Sequence, residues 1–453
     1  MWVLEPAKIS HKSWQEYLRT KVNLNSTYFG GQGTNLLLYT FPIMFIATFS
    51  CLYFHLGKEF ESQIASRSSI IVSSLRRPVL VKAPLGIVNT TELVFSALFV
   101  VLLIWSFFGY IILYPPWKEK WEDKVGLMAY ILGCLGNICL AFLFFPVTRG
   151  SSILPLVGLT SESSIKYHIW LGHISMVLFT LHSVGYIAYF ALVHEMAELL
   201  EWSRDSISNV AGEIVFVFCL AMWLTSIARV RTKMFELFFY THQLYALYIF
   251  FFVLHVGIAY SCMILPGIFL FLIDRYLRFL QSRNKAQLVS AHILPCEAVE
   301  LHVSKCPGLL YAPMSIMFIN VSSISKLQWH PFTVTSDCNV ETDKLSILIK
   351  CEGNWSRALY KTLSLPSPME QLCVSVEGPY GPTSLPFLRY DSLVMVSGGS
   401  GLAAFIPIIK DIVYKSTTKV YLTQQILLIC AFRRTVDLSM LDLLLPIDTN
   451  IPP

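Results

Sequence analysis

The chain is short of charge. Charged residues make up 14% of its 453 positions, against about 25% in soluble globular domains. That deficit excludes an ordinary soluble enzyme and a disordered chain. The formal net charge of +5 is too small and too scattered to track a phosphate backbone, which excludes nucleic acid as a partner. The 11 cysteines include no CxxC pair, and Cys134, Cys139 and Cys219 lie inside apolar runs. Neither a disulfide framework nor a zinc site is expected. No internal repeat and no low-complexity segment is visible, and residues 1–35 lack the apolar core of a signal peptide. What is abundant is apolar: 55% of residues are hydrophobic and mean hydropathy is +0.58. A polytopic membrane protein, with the lipid bilayer as its first partner, is the class that remains.

Seven apolar runs reach the length of about 20 residues that a bilayer demands. They span roughly 36–56, 93–114, 125–147, 167–193, 210–228, 237–260 and 262–280. From 283 onward the runs shorten and alternate, as at Val299, Leu301 and Val303, the period of strands. Basic residues set the orientation. Lys58, Arg67, Arg76, Arg77 and Lys82, then Arg149 and Lys166, then Arg229, Arg231 and Lys233, then Arg275, Arg278, Arg283 and Lys285 fall on one side by parity. That side is expected to be cytosolic. The loop 194–209 on the other side is acidic, with Glu195, Glu198, Glu201 and Asp205 against Arg204. The same parity puts the N-terminus outside, where Asn25-Ser26-Thr27 is a glycosylation acceptor.

Five of the 11 histidines lie in two of these runs: His168, His173 and His182 in the fourth, His242 and His255 in the sixth. Ionisable residues at membrane depth carry a functional expectation. His168 and His182 are 14 residues apart, roughly 21 Å and nearly four full turns, so both leave one helix face. His242 and His255 are 13 apart, which on an ideal helix turns the rings about 140° from each other. Local overwinding or approach from different flanks is then required. Since both helices run in one direction, His168 is level with His242, and His182 with His255. Two level pairs suit two stacked haems with bis-histidine iron. His173, about 140° round from His168, would miss the same haem and is read as a packing or supporting group.

YHIWLGH (167–173) with His182, and THQLY (241–245) with His255, resemble the ferric reductase and NADPH oxidase superfamily, whose spacings are also 14 and 13. STYFGGQGTNLLLYTFP (26–42) and RRPVLVKAPLGIV (76–88) are similar to plant ferric-chelate reductases in particular. The resemblance implies a fold: a polytopic α-helical membrane domain with two haems, then a β-barrel FAD-binding domain and a partial α/β nucleotide-binding domain. The boundaries expected are 1–34 for an extracytosolic segment, 35–282 for the haem domain, 283–385 for the flavin domain and 386–453 for a truncated NADPH-binding domain. Measured against that family, Met1–Trp14 reads as the end of a longer N-terminal region, so truncation at both ends is expected.

The same resemblance implies cofactor sites beyond the membrane. In HPFT (330–333), Phe332 would lie against the isoalloxazine ring, Thr333 near its reactive nitrogen and His330 toward the ribityl and phosphate side, with Pro331 between them. In ILIKCEGNWSRAL (347–359), Lys350 can neutralise a pyrophosphate, Gly353 allows close backbone approach and Ser356 can donate at a helix start. The family has Arg where Lys350 stands, so a bidentate fork is lost. VEGPYG (376–381) supplies Gly378, Pro379, Tyr380 and Gly381 for a tight turn beside flavin and nucleotide. An apolar strand then runs into Gly398, Gly399, Ser400 and Gly401, read as a glycine turn at a helix N-terminus for NADPH. Arg433 and Arg434, after the strand 426–432, fit either a 2′-phosphate or a solvated strand end.

The expected activity is therefore ferric-chelate reduction. Electrons would pass from cytosolic NADPH through FAD and two b-type haems, held by His168, His182, His242 and His255, to an extracytosolic Fe(III) chelate, most naturally at the plasma membrane. Two alternatives stand beside it: a superoxide-producing NADPH oxidase, and an inactive haem-binding truncated isoform. The choice of NADPH over NADH, the chelate and the oligomeric state, a homo-oligomer included, stay open.

Overall fold

The structure is a computed structural model that describes residues 20, 33–64, 78–82, 86–116, 120–156, 159–203, 207–283, 285–305, 309–365, 372–381, 387, 390–418 and 425–444. The Asn25 motif, Arg67, Arg76, Arg77, Arg204 and Asp205 lie outside the described residues. The chain divides into two units, Met1–Asp274 and Arg275–Pro453.

Hydrocarbon offers no hydrogen-bond partners, so apolar runs satisfy their backbone as helices. The first unit holds α1 (Gly33–Ile64), α2 (Thr90–Leu113), α3 (Trp121–Leu143), α4 (Ser161–Leu192), α5 (Asn209–Ser226), α6 (Phe235–His242) and most of α7 (Tyr245–Ser282), with a hairpin of β1 (Pro78–Lys82) and β2 (Gly86–Asn89) before α2. Among the described residues six helical stretches are long and apolar enough to cross a membrane, the last being Phe235–Ser282. α3 is central: Ile131, Ile138, Leu140 and Ala141 are at most 1% exposed. Its small residues let α4 come close, and Gly126, Gly133 and Gly136 face Tyr189, His182 and Phe179. On α2, by contrast, Leu98, Trp105 and Phe108 are more than half exposed, the surface that lipid covers. α4 starts at a capping box in which Thr160 and Ser163 satisfy each other's backbone N–H groups.

The sixth and seventh apolar runs form one continuous stretch. Its 48 residues would extend about 72 Å if straight, more than twice the hydrocarbon thickness. Gly257 interrupts it with φ 73° and ψ 174°, and the chain turns back there. The rings of Tyr245 and Phe271, on opposite limbs, are 5.8 Å apart. The returning limb buries Cys262 and Met263 with Ile131, Leu135 and Ile138 of α3. The seventh run is thus the returning limb of the sixth.

Among its described residues the second unit contains two antiparallel sheets. One has the order β3 (Lys285–Ala286), β9 (Val374–Tyr380), β6 (Ile316–Val321), β7 (His330–Thr333); the other is β4 (Leu288–Leu294), β5 (Ala298–Ser304), β8 (Lys344–Lys350). Their apolar faces meet in one core of Val299, Leu301, Val303, Met317, Ile319, Ile347 and Ile349, closed by Trp355, Leu359 and Leu363 of α8 (Asn354–Leu363). The expected closed β-barrel is not formed among the described residues. At the seam of β7 and β8 only an isolated bridge joins Val334 to Ile347. β7 is four residues long and contains Pro331, which has no N–H to extend a ladder. Beyond it, β10 (Ser392–Gly398) and β11 (Gln425–Ala431) pair in parallel, with α9 (Ile406–Thr418) between them in sequence. Leu402, Ala403, Ile406 and Met440 of this lobe share a core with Leu294, Cys296, Ala298 and Leu348.

Gly257→Ala forces a side chain into a backbone region, φ 73° with ψ 174°, that is essentially reserved for glycine, and is expected to cost about 1–3 kcal/mol. Gly172→Ala in α4, where a Cβ would have its nearest neighbour at 3.9 Å, is expected to be neutral or stabilising. Thermal unfolding in detergent compares them, and equal behaviour would mean that the reversal does not rest on Gly257.

Candidate functional site

The histidines that spacing made level are brought together in pairs. The ring centres of His168 and His242 are 6.1 Å apart with planes at 79°, and those of His182 and His255 are 6.2 Å apart with planes at 70°. The difficulty of the 13-residue step has a structural answer. α6 ends at His242, Gln243 and Leu244 form a turn, and α7 starts at Tyr245. The phase is reset at that break, without overwinding.

Three of the four rings are docked through Nδ1 on a backbone carbonyl: His168 on Leu143 O at 3.0 Å, His182 on Ala129 O at 2.8 Å and His255 on Ser208 O at 2.9 Å. A carbonyl only accepts, so Nδ1 carries the proton and Nε2 keeps a free lone pair. Nδ1 of His242 is buried with no hydrogen-bond partner among the described residues. Two metal–imidazole bonds of about 2 Å each, plus the short step from ring nitrogen to ring centre, bring two ligating rings to about 6 Å between centres. Both pairs meet that spacing, and neutral imidazoles are the donor set that haem iron takes. The residues present therefore fit the group. His182 and His255 also line a cavity of about 400 Å³ with Tyr130, Asn137, Phe179 and Tyr248. His173 faces elsewhere: its Nδ1 accepts from Trp223 Nε1 at 2.9 Å.

In the second unit, HPFT is strand β7, paired with β6 through Ile316–Thr333, Met317–Phe332, Phe318–Pro331 and Ile319–His330. Trp355, a residue that sequence reasoning did not single out, backs this strand. Its ring lies 4.4 Å from that of His330 and stacks on Phe332 at 6.0 Å. It belongs to the same GNWS segment as Gly353 and Ser356, so the two motifs are one locus. His330 Nε2 reaches Gln328 Oε1 at 3.2 Å. The Ser356 hydroxyl is occupied by its own helix end: it accepts from Glu352 N and Gly353 N and donates to Gly353 O. Gly353 has nothing within 4 Å of a built Cβ, leaving the open approach its motif requires.

Gly378 sits where a Cβ would meet Met317 Sδ at 2.8 Å, while Tyr380 donates to Glu377 Oε1 at 2.7 Å. Pro379 and Gly381 complete this end of β9 and the residue after it. Lys350 Nζ lies 3.9 Å from Asp437 Oδ1, and a Cβ on Gly399 would be 3.7 Å from it. The lysine is thus beside the glycine segment. Those glycines do not open the α-helix. Gly399, Ser400 and Gly401 fall in a 3₁₀ segment, Gly399–Ala404, and α9 starts only at Ile406. Gly398 is exposed and open on its Cβ side. Arg434 is engaged with Asp437 at 3.3 Å and Glu297 at 3.4 Å, and the Asp437 hydrogen bond holds its proton more tightly than usual. Arg433 is exposed.

Three family models match the chain. A ferric reductase like transmembrane component matches residues 132–254, an FAD-binding domain 283–384 and a ferric reductase NAD binding domain 390–450. The chain is 49% identical to "Ferric reduction oxidase 3, mitochondrial" of Arabidopsis thaliana over 100% of this chain and 65% of that protein. It is also 49% identical to "Ferric reduction oxidase 2" of the same plant over 99% and 63%. The chain therefore spans less than two thirds of the length of these relatives. Among solved structures, a Neisseria gonorrhoeae ferredoxin NADP+ reductase with bound FAD and NADP matches 35% of this chain and 60% of its own, at 18% identity and a TM-score of 0.27. That likeness is too slight to argue from.

Trp355→Ala removes the ring on which His330 and Phe332 rest and is expected to cost about 3–5 kcal/mol. Chemical unfolding followed by fluorescence would measure it, and a loss below 1 kcal/mol would mean that the three rings are adjacent without supporting one another.

Proposed function

Because the chain belongs to the ferric reductase family, we propose that it is an integral-membrane oxidoreductase that moves electrons from cytosolic NADPH to a Fe(III) chelate on the opposite side. The observation that carries this reading is the pair of level histidine couples with ring centres 6.1 and 6.2 Å apart. When bound, FAD would divide the two electrons of a hydride into single electrons, and two haems b would relay them through the apolar layer.

The chain's own residues supply the rest. His168 with His242, and His182 with His255, present Nε2 lone pairs at two depths. The carbonyls of Leu143, Ala129 and Ser208 hold the Nδ1 protons and so fix which nitrogen faces the metal. Val215 and Phe252 line the cavity beside His182 and His255 and pack with Leu140 and Met176 in one apolar core. In the second unit, Phe332 backed by Trp355 offers a flat apolar face for the isoalloxazine, and Thr333 offers a hydroxyl. Gly353 and the N-terminus of α8 suit a pyrophosphate. Gly378–Gly381, Gly398–Gly401 and Lys350 suit the nucleotide. Electron delivery at an exposed edge requires no iron-binding cage. The basic loops around Arg149 and Arg229–Lys233 face the cytosol, and we place the chain in the plasma membrane.

Purified protein is expected to carry two haems b by the pyridine haemochrome assay, and to reduce Fe(III)-citrate once its haems are reduced with dithionite. His182→Ala is expected to lower the haem content to about one and to slow iron reduction by more than about tenfold. His173→Ala is expected to keep both haems. A haem content near zero would overturn the reading, and superoxide as the main product under air would turn it toward an oxidase.

A further inference from the structure

We infer that Gly133 and Gly212 are positioning residues for the two outer histidines, each being the glycine across which an imidazole reaches a helical carbonyl. The inference rests on the haem reading above and adds residues to it.

The two sites repeat one geometry. His182 Nδ1 docks on Ala129 O, and Gly133 follows Ala129 by four residues in α3. His255 Nδ1 docks on Ser208 O, and Gly212 follows Ser208 by four residues at the start of α5. In an α-helix the carbonyl of residue i accepts from the N–H of residue i+4, and Gly212 N does donate to Ser208 O at 3.2 Å. The carbonyl's second lone pair is what the imidazole takes. To reach it, the ring must lie against the residue at i+4. A Cβ there would stand 2.5 Å from Nδ1 and 2.8 Å from Cε1 of His182, or 2.7 Å from both Nδ1 and Cε1 of His255. Neither distance is tolerable, and neither ring is a loose end that can swing away. One nitrogen is held by the carbonyl, and the other is directed at the metal. Any side chain at 133 or 212 therefore pushes the ring off the carbonyl, off the metal, or both.

The inner pair lacks this device, which makes the contrast testable. His168 docks on Leu143 O, where α3 has ended and Val147 N donates to Phe144 O instead. That carbonyl is not taken by the N–H four residues on, although a 3₁₀ turn, Phe145–Val147, follows it. His242 Nδ1 has no carbonyl partner among the described residues. His255 is held twice, since Ser208 N also donates to His255 O at 3.3 Å. The break at Gly257 lies two residues downstream and interrupts the ladder that would otherwise use that carbonyl.

The experiment uses the full chain purified in detergent, with optical and electron-paramagnetic spectra and a redox titration. Gly133→Ala and Gly212→Ala are each expected to convert one of two low-spin haem signals to high spin, or to lose it, and to shift the potential of that haem only. Added imidazole is expected to restore the low-spin spectrum, which shows a displaced ring in a pocket that still folds. Gly136→Ala is the packing control, because its Cβ would meet Phe179 at 2.5 Å and no histidine; both low-spin signals are expected to survive it. Two unaltered low-spin haems in Gly133→Ala and Gly212→Ala would overturn the positioning role alone. Loss of both signals together, or the same change in Gly136→Ala, would also overturn it in favour of general packing. A wild-type chain without haem would overturn the haem reading as well.

Discussion

An imidazole enclosed by apolar helices has one N–H to satisfy and no water to satisfy it with. Leaving such a donor unpaired costs about 1–3 kcal/mol, and the only acceptors in abundance are backbone carbonyls already used by the helices. Much of the membrane unit follows from where a carbonyl can be spared. α3 stops at Leu143 beside His168, and α5 starts after Ser208 beside His255. Ala129 shares its oxygen in mid-helix because Gly133 leaves room for a ring. The helix ends and breaks of this unit thus fall where the histidines need them, and each docking frees the opposite nitrogen.

That logic also explains what was legible beforehand. The 14-residue step needed only an unbroken α4, so His168 and His182 could be placed on one face from spacing alone. The 13-residue step could not be resolved, because the turn at Gln243–Leu244 has neither proline nor glycine to announce it. Gly133 and Gly212 are equally silent in an apolar run. Their meaning lies in rings brought over them by other helices. In the second unit the strands were visible from alternation, but closure of a barrel depends on the pairing of distant edges, and the β7–β8 seam carries a single bridge. The glycine segment opens a 3₁₀ helix one turn ahead of α9, a distinction that apolar periodicity does not carry, while Pro407 marks the first turn of α9 itself. Trp355 was passed over because a tryptophan beside a capped helix reads as core, and it is core as well as platform: it is 6% exposed and lies among the buried residues that join the two sheets.

The charges of the second unit impose a different constraint. Asp437 is 2% exposed and stands within 4 Å of both Lys350 and Arg434. A buried carboxylate is stable only with such partners, so removing either cation leaves Asp437 to the other alone. Lys350, beside Gly399, and Arg434 are therefore both occupied by the protein itself. An anion arriving there gains only what exceeds their attraction to Asp437. This favours a ligand that brings further contacts of its own, as a nucleotide does along its length, over a free phosphate.

The two histidine couples are not equivalent. At the outer couple both rings are fixed by carbonyls, and His255 is clasped by two bonds to Ser208. At the inner couple His168 is fixed, whereas His242 ends a helix, faces Phe238 at 5.3 Å and has no acceptor for Nδ1 among the described residues. A ring without that bond is oriented by packing and by whatever its other nitrogen holds. The break between α6 and α7 places His242 level with its partner, yet it also ends the helix that carries it, so the inner couple is completed from one anchored side. Among the described residues three of the four rings are docked on a carbonyl, which leaves one couple anchored on both sides and the other on one.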